Sequence, residues 1–188
     1  MLNRKNAPTF RELKNFEPIN VQKELLQNNV PVYLVKSDTQ ALLRIEFIFK
    51  AGNWYNSTVG VAATTARMMT QGTVDYSSFE ISEMVSKYGA HLSVTNTSDH
   101  LKISLFTLTK YLKEVLPIVK DVLLNASFPK SELSILKENM LQGFRLNLEK
   151  TSYVASQLFK KTLFGENHPY TDETTLDSIN NLNTSLLK

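Results

Sequence analysis

Apolar positions along this chain first alternate and later recur at helical spacing. In Ala41–Lys50, Ile45, Phe47 and Phe49 alternate with Arg44, Glu46, Ile48 and Lys50, the period of a strand with one buried face. Two extended runs precede it, Val21–Leu26 and Pro31–Lys36, separated by Asn28-Asn29, residues that tolerate turn geometry. After Ala51-Gly52 the period lengthens, and GVAATTARMMTQGT, residues 60–73, reads as a helix of about three turns closed by Gly72. Ser77 and Glu80 have the Ser-x-x-Glu spacing of a capping box, opening a helix that carries Phe79, Met84, Val85 and Tyr88 and stops at Gly89.

Strand alternation then returns in Ala90–Thr95 and His100–Leu108, joined by the polar turn Asn96–Asp99. From Lys110 to Asn125 the apolar residues 112, 115, 116, 119, 122 and 123 fall on one helical face. A long helix follows Phe128-Pro129 and runs to Leu148, another spans Thr151–Phe164, and a weak one covers Leu176–Leu182. Residues 1–19, broken by Pro8 and Pro18, read as an irregular arm, and residues 20–188 as one domain. Strands and helices are partly segregated, which predicts an α+β fold: a mainly antiparallel sheet with helices on one face.

Composition narrows the function without naming it. The 21 basic and 18 acidic side chains are scattered and leave a net charge of only +3, not the clustered basic face that nucleic acid requires. No stretch is apolar for long enough to span a membrane as a helix. The absence of cysteine excludes disulfides and zinc–cysteine sites. The N-terminus carries early positive charge with no apolar core behind it, so the expected compartment is the cytoplasm, or the periplasm where a leader has been removed.

Several short pieces recur in order: Phe49-Lys-Ala-Gly52 at a strand end, Gly60 opening a helix, the Gly72-Thr73 stop and Lys87-Tyr-Gly-Ala90 before a hairpin. Further along come Leu116-Pro117, Ser127-Phe-Pro129 and Leu163-Phe-Gly-Glu-Asn-His-Pro-Tyr170. Together, over about residues 20–175, they resemble the pitrilysin/insulinase-type zinc metallopeptidases, whose relatives include the subunits of mitochondrial processing peptidase. Active members of such a family carry H-x-x-E-H on the first of these helices, two imidazoles one turn apart on zinc and a carboxylate that takes a proton from metal-bound water. By the resemblance, the histidines fall on Ala63 and Arg67, the glutamate on Ala66, and a third ligand from the long helix on Gly143. None of these side chains binds zinc or accepts a proton, and Arg67 places a fixed positive charge at the metal position, either as filler or paired with a carboxylate such as Glu138.

The resemblance therefore implies an inactive subunit without a cofactor, paired with a homologous zinc-bearing partner that cleaves peptides. It also implies that the strand after Gly89-Ala90, at Leu92, Ser93, Val94 and Thr95, offers its edge to an extended peptide. Ser93 stands where many active members have asparagine, which puts that side-chain contact in question. The chain is expected to be the N-terminal half of a longer one, lacking its last strand and helix, with its own C-terminal half or another chain covering the exposed edge. Two other readings stay open. One is a stand-alone peptide-binding or scaffold protein; the other is an active metallopeptidase with atypical ligands, for which His91 and His100 on facing hairpin arms are the candidates, against an ordinary role as sheet-surface histidines. His168 reads as a packing residue, Asp99 and Glu80 as loop and cap residues, and Met68, Met69 and Met84 as core filler.

Overall fold

The computed structural model describes residues 19–36, 41–166 and 168–188. The predicted arm lies almost wholly outside these residues. The chain divides into two compact units, Met1–Gln40 and Ala41–Lys188. In the first, β1 (Val21–Leu25) pairs antiparallel with β2 (Pro31–Val35), with Val21 opposite Val35. The turn between them works as the asparagine pair suggests: Asn29 takes a left-handed φ of 62°, and Asn28 Oδ1 accepts the Val30 N–H at 3.3 Å.

The second unit holds a three-stranded antiparallel sheet and seven α-helices among the described residues. The strands are β3 (Leu42–Phe49), β4 (His91–Asn96) and β5 (Leu101–Leu108), in the spatial order β3-β5-β4. The strand read from Ile45 and Phe47 is there, and both residues are half-buried, opposite Leu105 and Ile103 of β5. Ile103 and Leu105 are fully buried, as expected for the central strand. The fold is α+β, as the sequence predicts, although the first two strands form a sheet of their own.

Helices α1 (Val61–Met68), α2 (Ser78–Lys87), α3 (Leu112–Leu124) and α4 (Lys130–Leu148) supply the rest of the core through Ala66, Met68, Ile81, Val115, Val119, Val122 and Leu133. The capping box at α2 forms completely: Ser77 Oγ accepts from the Glu80 N–H, and Glu80 accepts the Ser77 N–H at 2.8 Å. The bond from the Ser77 backbone N–H holds the Glu80 carboxyl below its usual range. Replacing Ser77 by alanine is expected to cost about 1 kcal/mol, read as a lower urea midpoint with an unchanged slope.

Helix α1 is shorter than its pattern suggests, because Gln71 turns back to the Met68 carbonyl and the chain leaves helical geometry before Gly72. Beyond α5 (Thr151–Phe164), the tail forms α6 (Leu176–Asn181) and a short α7 (Thr184–Leu187) that the sequence reading missed. Asn183 caps α7, accepting the N–H groups of Ser185 and Leu186. Lys137 on α4 fastens the tail by donating to the carbonyls of Asn180 at 2.7 Å and Leu182 at 2.9 Å, and Leu187 is buried in the core. Among the described residues, no helix is long and apolar enough to cross a membrane.

Candidate functional site

Helix α1 packs over β4 at the edge of the sheet, not over its centre. Thr64 and Met68 point inward and are fully buried, while Ala63 is half-buried and Arg67 exposed, on a stripe that faces away from the core. Thr64 Oγ1 lies 4.0 Å from Met140 Sδ, so α4 approaches α1 one turn before Gly143. A Cβ built on Gly143 meets nothing within 4 Å, which leaves open space there.

The four positions singled out by the resemblance thus lie on two helices in mutual contact, and they supply no donor to a metal. Ala63 and Ala66 end at a methyl group, Gly143 has no side chain, and Arg67 is a permanent cation. These residues do not fit a zinc ion. Among the described residues no three His, Cys, Asp or Glu side chains cluster in a way that could hold a metal. Arg67 makes no ion pair among the described residues. Glu138, the carboxylate considered for it, instead lines a groove that α4 forms with Leu182, Asn183 and Thr184.

The β4–β5 register settles the histidines. His91 lies opposite Phe106, with ring centroids 6.4 Å apart, and Asn96 lies opposite Leu101. The turn is Thr97–His100, one residue later than predicted, so His91 and His100 stand at opposite ends of the hairpin and do not form a pair. Thr97 Oγ1 fixes this turn by accepting the His100 N–H and donating to the His100 carbonyl, both at 3.1 Å.

Two backbone hydrogen bonds set the phase of the whole sheet. Thr109 N–H donates to Ala41 at 2.9 Å, so the odd-numbered residues of β5 point their backbone groups toward β3 and the even-numbered ones toward β4. Thr97 N–H donates to His100 at 2.9 Å, so His91, Ser93 and Thr95 are the β4 residues bonded to β5. The backbone groups of Leu92, Val94 and Asn96 therefore point outward from an edge that pairs with nothing else among the described residues. The four predicted strand residues divide by role: Leu92 and Val94 offer main-chain donors and acceptors while their side chains pack on the core, whereas Ser93 and Thr95 spend theirs on β5.

At the Asn96 end the edge is closed by a short 3-10 helix, Asn53–Tyr55. Gly52, Asn53 and Trp54 donate their N–H groups to the carbonyls of Asp99, Thr97 and Ser98 at 3.2, 3.1 and 2.7 Å, wrapping the hairpin tip. Asn96 Nδ2 donates to Asn53 Oδ1 at 2.6 Å. Trp54 joins an aromatic group with Phe164, His168 and Tyr170, whose ring centroids lie 4.9 to 5.6 Å apart. Tyr170 donates its hydroxyl to Asp99 Oδ1 at 2.7 Å, and that bond, with partial desolvation, raises the phenol above its usual value. His168 packs here as expected, its Nδ1 accepting the Tyr170 N–H at 3.1 Å. The sequence reading overlooked the cluster; the aromatic spacing in Phe164–Tyr170 was its only local signal.

On the sheet face turned away from the core, Glu46 receives Lys102 at 3.1 Å and Ser104 at 3.2 Å, and pairs with Arg44. The hydrogen bond from Lys102, more than any other contact, holds its carboxyl below the usual value. Arg44 also lies over the Phe106 ring, 4.9 Å from its centroid.

A helix over an edge strand, beside a hairpin wrapped by the chain that leaves β3, defines a domain of the insulinase type. Residues 32–169 match the insulinase family, peptidase family M16, and the chain belongs to it. The Non-peptidase homolog YmxG of Helicobacter pylori is 24% identical over 144 residues, which are 76% of this chain and 33% of that protein. The crystal structure of the peptidase M16 inactive domain from Pseudomonas fluorescens superposes with a TM-score of 0.84 at 25% identity, covering 90% of this chain and 42% of that one. A protease from Helicobacter pylori shares the fold at a TM-score of 0.78 and 15% identity, again over 90% of this chain and 42% of the other. The chain thus spans less than half the length of each of these relatives.

Proposed function

We propose that this domain is a non-catalytic member of the family that holds extended peptide substrate on the β4 edge, while a homologous zinc-bearing partner performs the hydrolysis. The observation that carries the reading is the combination of an open strand edge at Leu92 and Val94 with an overlying helix whose Ala63, Ala66 and Arg67 offer nothing to a metal. An extended peptide gains main-chain hydrogen bonds from such an edge whatever its sequence. The inactive names of two relatives support the loss of catalysis.

Val94→Pro tests the edge. The Val94 N–H serves no bond to β5, so proline there removes an outward donor without breaking the ladder. Short unstructured fluorescent peptides should bind the wild-type chain, as read by anisotropy, and at least tenfold more weakly to Val94→Pro at unchanged circular dichroism. Peptides N-methylated at alternate residues should lose affinity for the wild type in the same way. Binding indifferent to both changes would remove the edge from the mechanism. Mixing the chain with a zinc-bearing homologue should raise peptide cleavage above that of the homologue alone, and no increase would sink the pairing.

A further inference from the structure

We propose that the aromatic group at the hairpin tip, with Trp54 as its exposed face, is a selectivity site that anchors a large apolar or aromatic side chain of the peptide paired along β4. This rests on β4 being the peptide-pairing edge, and it adds which peptides that edge prefers.

The argument begins from the limits of the edge. The outward backbone groups are those of Leu92, Val94 and Asn96, and beyond Asn96 the carbonyls of Thr97, Ser98 and Asp99 are already taken by Gly52, Asn53 and Trp54. A strand added along β4 cannot continue its ladder past Asn96. Its next residue runs against the Asn53–Tyr55 turn, where Trp54 is 46% exposed and Tyr55 54%.

Trp54 is held for this contact. Its N–H is bonded to Ser98 at 2.7 Å, and its ring sits edge-on to both His168 and Tyr170, at 5.4 and 5.6 Å. Tyr170 is fixed by Asp99 and by its own N–H on His168, and Phe164, 42% exposed, stacks on His168 at 5.1 Å. An aromatic surface ordered in advance loses little side-chain entropy when a ligand covers it, which is why Trp and Tyr dominate binding hot spots. Among the described residues no charged side chain is bonded to Trp54 or Phe164, and the Asp99 carboxylate beside them is engaged by Tyr170, so the exposed face favours an apolar or aromatic side chain over a charged one. Main-chain pairing at Leu92 and Val94 is blind to sequence, and this cluster supplies discrimination at the position where the ladder must stop.

Trp54 is the only tryptophan of the chain, so its emission reports the site directly. The test is a set of short peptides of one polar, unstructured sequence in which a single phenylalanine is moved from position to position, titrated against the full chain. At one position phenylalanine should tighten binding about tenfold over alanine and shift Trp54 emission to the blue. In Trp54→Ala, anisotropy of labelled peptides should show the ratio of phenylalanine-peptide to alanine-peptide affinity collapsing toward one. Peptides that bind with no preferred phenylalanine position, or a preference that survives Trp54→Ala, overturn the selectivity site and leave the edge intact. If no peptide binds the folded chain at any position, the edge reading fails and takes this inference with it. Because Trp54 is nearly half exposed and lies outside the buried core, its replacement is expected to fold; if it does not, the blue shift of wild-type emission with position-dependent phenylalanine decides, and its absence overturns the proposal.

Discussion

Gly52→Ala is expected to destabilise the fold strongly. A Cβ at that position would lie 2.5 Å from three backbone atoms of the hairpin tip, Ser98 O, Asp99 C and His100 N. No side chain stands in the way that could swing aside, so the strand end or the hairpin must move. Moving either breaks the bonds from Gly52, Asn53 and Trp54 to the tip, and these position α1 above the edge strand. Overpacking against fixed backbone costs about 3 kcal/mol, which should lower the thermal midpoint by about 10 °C in a chain of this length. Scanning calorimetry measures it, and a midpoint within about 2 °C of wild type would mean that the tip is not where it is placed here. The requirement for glycine is one of close approach and not of unusual backbone angles.

The second large effect runs in the opposite direction, from no metal to one. The combined variant Ala63→His, Arg67→His and Gly143→Glu, with the core residue Ala66 left in place, is expected to bind one zinc ion, where the wild type is expected to bind none. Positions 63 and 67 are one turn apart on the outward stripe of α1, the spacing at which two imidazoles can reach a single ion at about 2.0–2.1 Å. The contact between Thr64 and Met140 brings α4 alongside, and the space around Gly143 admits a longer side chain without a clash. Removing Arg67 also removes the charge that would repel the metal. Elemental analysis after dialysis against a weak chelator reads the stoichiometry, with Ala63→His alone as the control that should stay empty. A folded triple variant without zinc would show that these three positions do not share a site.

Much of this arrangement can be read from local sequence, and the parts that cannot have a common physical cause. The alternation of Ile45 and Phe47 and the box of Ser77 and Glu80 report on their own neighbours, so β3 and α2 appear where expected. The hairpin turn was misplaced by one residue because Asn96-Thr-Ser-Asp99 and Thr97-Ser-Asp-His100 are equally polar. What decides between them is the Thr97 side chain bonding His100, three residues on, together with the 3-10 helix arriving from β3, whose bonds to the tip span more than forty residues. His91 and His100 would face each other only across a turn centred near residues 95 and 96, three residues before the observed centre. Strand order is likewise invisible to periodicity: β4 and β5 read alike, yet β5 is central and β4 is the edge. The aromatic group joins residue 54 to residues 164–170, a distance in sequence that no local window spans. Helix α7 escaped notice because four residues carry too little periodicity to register, and only the Asn183 cap marks it.

The chain that crosses the hairpin tip has one more effect, on the solution behaviour of the protein. An open strand edge invites a second copy to continue the sheet, and from there a third, which is how ordered aggregates begin. Here Asn53 and Trp54 occupy the carbonyls just past Asn96, so a copy arriving side by side finds a docking edge only a few residues long and cannot slide along it. A stiff, twisted sheet gains little from so short an edge, and the turn that ends the ladder is expected to disfavour polymerisation through it.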